Sequence, residues 1–87
     1  MKQSPDYLLR TVAGTQVLVP VGDATNRFIG MVTVNTTSAY LWEQLATEQT
    51  EETLVQALLS KYQVEEALAR EDVKKFLATL TAIGALT

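Results

Sequence analysis

The side chains able to do chemistry in this chain are carboxylates, and they come in adjacent pairs: Glu51 with Glu52, Glu65 with Glu66, and Glu71 with Asp72. Paired acids serve general acid–base catalysis when their surroundings drive the two pKa values apart. All of these except Asp72 fall at helix starts or on the solvent faces of helical stretches, and none lies in a glycine-rich or cleft-forming run. The chain has no histidine and no cysteine. That removes the commonest general base, the commonest metal ligand, the thiol nucleophile and any disulfide framework together. Ser4, Ser38 and Ser60 therefore have no histidine partner for a hydrolase triad. Gly14, Gly22, Gly30 and Gly84 are dispersed and make no phosphate loop. A metal held by oxygen alone finds no EF-hand spacing. The expectation is a protein that binds rather than catalyses, with no cofactor.

The elements that must position a binding surface follow from the pattern. Eighty-seven residues with a hydrophobic fraction of 47% make one domain, residues 1–87, with enough apolar content for a packed core. The pattern changes period once, near Asn35. Before it, Tyr7 to Val12 reads as a strand, Ala13-Gly14-Thr15 as a turn, and Gln16 to Val19 as the returning strand stopped by Pro20. Val21 to Asn26 reads as a loop, and Arg27-Phe28-Ile29-Gly30 leads into a third strand, Met31 to Val34. After it, Asn35 caps a helix over Thr36 to Ala46, and Thr50 caps a second from Glu51 to about Tyr62. A third runs from about Glu65 to Ile83, with Val73, Phe76, Leu77, Leu80 and Ile83 as its apolar stripe and Gly84 as its stop. The fold expected is α+β and winged-helix-like: a three-stranded antiparallel sheet followed by three α-helices.

Charge narrows the partners. The net charge is −3, with residues 1–35 at +1 and residues 36–87 at −4, so no large basic face is available for nucleic acid. The start, Met1-Lys2-Gln3-Ser4-Pro5-Asp6, has no apolar core of a signal peptide, and no run is long enough for a membrane span. A cytoplasmic location is expected. The stretch Phe28-Ile29-Gly30-Met31-Val32-Thr33-Val34 carries no charge and no proline, the usual guards of a strand edge. Either it is a well-paired inner strand, or it is an edge left open for a peptide to join as a further strand. On the third helix, Glu66–Arg70 and Glu71–Lys75 are favourable i, i+4 pairs. Arg70 and Lys74 then form a small basic ridge beside Val73 and Leu77, which either meets a bound peptide or snorkels over the core stripe. Trp42 and Phe76 read as core residues, and Met31 as an adaptable side chain on the edge.

Three passages carry a resemblance: Tyr7-Leu8-Leu9-Arg10-Thr11-Val12-Ala13-Gly14; Val34-Asn35-Thr36-Thr37-Ser38-Ala39-Tyr40-Leu41-Trp42-Glu43-Gln44-Leu45; and Asp72-Val73-Lys74-Lys75-Phe76-Leu77-Ala78-Thr79-Leu80 with Gly84. In order and spacing they resemble the PqqD family of pyrroloquinoline quinone biosynthesis proteins, also called precursor-peptide recognition elements. Val34 stands where that family usually has Leu, and Thr36-Thr37-Ser38 replaces its common Glu-Thr-Gly. The resemblance implies a domain that binds the leader segment of a ribosomally made precursor peptide as a strand added to its third strand, against its third helix. It further implies presentation of the precursor to a modifying enzyme such as a radical S-adenosylmethionine (radical SAM) protein. It places the site on Ile29, Gly30, Met31, Val32, Thr33 and Val34, and on the helix face with Val73, Lys74 and Leu77, to which the basic ridge adds Arg70. Two other readings stand beside it: a winged-helix DNA-binding regulator, and a structural module that dimerises through the same edge strand.

Overall fold

The hairpin that opens the fold is set by its two-residue turn. Ala13 and Gly14 both take positive φ, 51° and 80°, as a primed turn matching the twist of the flanking strands requires. In the computed structural model, which describes residues 1–26 and 30–87, this turn joins β1 (Tyr7–Val12) to β2 (Thr15–Pro20). A short 3₁₀ turn, Gly22–Asn26, stands where the composition suggests a loop. Then come β3 (Val32–Thr33), α1 (Thr36–Gln44), α2 (Glu51–Lys61) and α3 (Glu66–Ile83). The sheet is antiparallel in the order β1-β2-β3, so β1 and β3 are its edges.

The third strand is shorter than the pattern suggests. Gly30 takes φ 118°, a geometry suited to glycine, and the ladder begins only after it. Met31 precedes the strand and is exposed, and Val34 follows it, still donating its N–H to the Gln16 carbonyl at 3.0 Å.

The helices begin at side-chain caps. The Asn35 carboxamide oxygen accepts from the Ser38 N–H at 2.8 Å, and Thr50 and Thr53 form a reciprocal capping box. Gly84, at φ 74°, ends α3 in the left-handed conformation. Tyr7 and Leu18 on the inner sheet face pack with Leu41, Trp42 and Leu45 of α1, Leu54, Val55 and Leu58 of α2, and Ala69, Val73, Phe76 and Leu80 of α3. The Tyr7 hydroxyl donates to the Ile83 carbonyl, satisfying a polar tip inside this core. The ends of the chain meet. Gln3 bridges Leu86, Lys2 and Thr87 exchange backbone hydrogen bonds at 2.8 and 3.1 Å, and the Gln3 carboxamide donates to the Trp42 carbonyl.

Candidate peptide-binding cleft

Pairing decides which backbone groups β3 offers to a partner. In an antiparallel ladder, alternate residues bond inward and outward. Gln16 lies opposite Val34 and accepts its N–H, and Leu18 lies opposite Val32, so these positions bond toward β2. Thr33, opposite Val17, therefore points its N–H and C=O away from the sheet, toward the open edge. The side chains alternate the other way. Val32 shares the inner face with Leu18, while the Thr33 side chain is exposed.

Beside this edge lies a cleft of about 200 Å³. One wall is Val32, Thr33, Val34 and the start of α1, with Asn35, Thr37 and Ser38. The other wall is one face of α3: Asp72, Lys75, Phe76 and Thr79, spaced at i, i+3, i+4 and i+7. The floor is apolar, because Phe76 is only 6% exposed and Val34 7%. The rim is polar and charged.

Of the positions singled out in the sequence, Val32, Thr33 and Val34 line the cleft, and Gly30 and Met31 lie exposed just before them. Ile29 lies outside the described residues. The four α3 positions lie elsewhere on the helix. Val73 is fully buried beneath it, and Leu77 is half-buried against the core. Arg70 is held on the α2 side, where its guanidinium reaches Glu52 at 2.6 Å and Glu66 at 3.1 Å. Lys74 is exposed, outside the cleft lining, and has no ion pair among the described residues. The Arg70–Lys74 ridge thus lies away from the cleft wall. Sequence spacing alone marks Phe76 as core and does not mark Lys75 or Thr79 as cleft residues. A signal existed in Asp72, the one paired carboxylate that escaped a solvent face. The rotation of α3 about its axis, which faces that residue toward β3, is set by tertiary packing.

The electrostatics differ between the two flanks of α3. Lys75 reaches Glu71 at 2.9 Å, and this hydrogen bond raises the ammonium pKa and lowers that of the carboxyl. The Arg70 fork holds the Glu52 carboxyl below the usual carboxylate range, helped by a bond from Gln56, and the two carboxylates raise the guanidinium pKa in turn. Asp72, half-buried, forms no hydrogen bond or ion pair through its carboxylate among the described residues. No group of His, Cys, Asp and Glu that could hold a metal ion occurs among the described residues. The arrangement can take an extended chain on the Thr33 edge and lay its alternate side chains over the Phe76 floor.

Comparison places this geometry among known proteins. A solved structure described as TbiB1 in complex with the TbiA(beta) leader peptide has a TM-score of 0.74 and 21% identity, over 99% of this chain and 94% of that one. A second, lasso peptide synthetase B1 complexed with the leader peptide, has a TM-score of 0.71 and 21% identity, over 97% and 93%. These are likenesses of fold. No curated protein sequence matches the chain. The family model for coenzyme PQQ synthesis protein D (PqqD), however, matches residues 15–86, a span that holds the edge strand, the cleft and all of α3. On the strength of that match, the chain belongs to the PqqD family.

Proposed function

We propose that this protein binds the leader segment of a ribosomally made precursor peptide as a strand added to β3, and presents it to the enzyme that modifies the precursor. The observation that carries this reading is the outward-facing backbone of Thr33 on an edge strand beside an apolar-floored cleft. Main-chain bonds to Thr33 supply affinity, and alternate side chains over Val32, Val34 and Phe76 supply selection. Two proteins of the same fold have been solved with leader peptides bound, which supports the same use here. Gly30 and Met31 extend the contact before the strand, with Val73 and Leu77 as the packing beneath.

Residues 1–87 form the unit that does this. It acts in the cytoplasm, where precursors are made, and no helix among the described residues is long and apolar enough to cross a membrane. The chemistry belongs to the modifying enzyme, for which the PqqD resemblance implies a radical SAM protein. A DNA-binding role is disfavoured by a net charge of −3 and by the pairing of Arg70 and Lys75 with carboxylates.

The test is titration of isotopically labelled protein with synthetic peptides encoded by short reading frames beside its gene, followed by amide chemical shifts. Shifts gathered on residues 31–35 and 72–79 are expected. If no such peptide moves those amides, or if the protein instead self-associates through this edge, the reading fails.

A further inference from the structure

We infer that the cleft selects a peptide carrying a basic side chain two residues from an apolar one, with Asp72 as the residue that reads the base. This deepens the function proposed above and rests on it. Asp72 and Phe76 both line the cleft and stand four residues apart on α3. At about 1.5 Å of rise per helical residue, they are about 6 Å apart along the helix axis. Alternate side chains of an extended strand repeat at about 6.6–6.8 Å. A strand on the β3 edge running alongside α3 thus sets one side chain over Phe76 and the next on the same face over Asp72.

The two positions ask for different chemistry. Phe76 is buried and offers an apolar surface. Asp72 is half-buried and has no hydrogen bond or ion pair among the described residues. Its neighbouring cation, Lys75, bonds Glu71 at 2.9 Å and feels the Asp72 charge without bonding it. Of the two charged residues that line the cleft, Lys75 is thus bonded to Glu71, outside the lining, and leaves the Asp72 carboxylate free to accept. A partly buried carboxylate without a partner is the position where an incoming ammonium or guanidinium gains most, through a charge-assisted hydrogen bond. The negative charge of the whole chain, −3, draws a basic segment in the same direction. An acidic residue at the same place would meet like charge, so the site selects by repulsion as well as attraction.

The experiment is selection of a displayed library of random peptides on the intact protein and, in parallel, on Asp72→Lys and Asp72→Asn. Wild type is expected to enrich Lys or Arg two positions from an apolar residue. Asp72→Lys is expected to replace that base with Asp or Glu, and Asp72→Asn to lose the preference. For a synthetic peptide from the wild-type pool, affinity should fall about tenfold on Asp72→Asn and recover in part on Asp72→Lys when the peptide's base is changed to Glu. Circular dichroism verifies that each variant is folded. Peptides that bind the β3 edge with no basic position, or identical pools from wild type and Asp72→Lys, overturn the pairing and leave strand addition standing. If no peptide is captured by any of the three, both readings fall.

Discussion

The two flanks of α3 each carry an i, i+4 ion pair and differ in what they leave over. On the flank toward α2, Arg70 is gripped by Glu52 and Glu66, and every charge of that cluster has a partner. On the flank toward β3, Asp72 has no hydrogen bond or ion pair among the described residues, and Thr33 offers its N–H and C=O to the sheet edge. The first flank spends its polar groups within the chain, joining two helices. The second pairs Lys75 with Glu71 but leaves Asp72 and the Thr33 backbone without such a bond among the described residues. In a protein with no histidine or cysteine, this difference is the basis on which the proposed binding function is placed at the β3 flank.

The sharpest way to break the comparison is Thr33→Pro. Proline removes an N–H that plays no part in the β2–β3 ladder and sets its ring where a partner strand must approach. Loss of measurable leader-peptide binding by calorimetry is expected, with the melting temperature near that of wild type. Binding that survives would sink strand addition. Phe76→Ala comes next, because Phe76 is both core and cleft floor. A loss of about 3 kcal/mol is expected in denaturant unfolding, and peptide affinity should fall in whatever fraction remains folded. A fully stable variant would show that Phe76 belongs to the cleft alone. Asn35→Ala removes the oxygen that caps α1 at the cleft wall and should cost about 1 kcal/mol by the same assay.

The smallest effect sharpens the paired flank. The folded-state pKa of Glu52 is depressed by Arg70, so its contribution to stability is full above the ordinary carboxylate range. It is lost as pH falls through the depressed folded value. Glu52→Gln should therefore flatten part of the acid limb of a stability–pH curve and leave peptide affinity at neutral pH unchanged. Both groups are exposed, so added salt should shrink the effect. A change in affinity would mean that the two flanks communicate.

What could be read from the sequence was local. Asn35 and Thr50 as caps, Gly84 as the stop of α3, and the Glu66–Arg70 and Glu71–Lys75 pairs each depend on residues within one turn, and each appears in the structure. The second ion pair on Arg70 was not legible, because Glu52 lies 18 residues away on another helix. The open edge was legible as a stretch without charge or proline, but not its two-residue length, which follows from the φ of Gly30 and the register with β2. The cleft wall on α3 was the least legible part. Periodicity identifies the core stripe, whereas the flank that meets β3 depends on how α2 and the sheet fix the helix in rotation.

The pairing of Gln3 with Leu86 has a kinetic consequence. It joins residues 83 positions apart, whereas the β1–β2 hairpin closes over two. Closing the longer loop costs more chain entropy before any contact repays it. This clasp between the two ends is therefore expected to form last in folding and to open first. In hydrogen exchange the Lys2 and Thr87 amides, which bond only each other's carbonyls, should exchange well ahead of Leu18 and Leu58 in the core. Equal rates would mean that the clasp opens only with the whole fold.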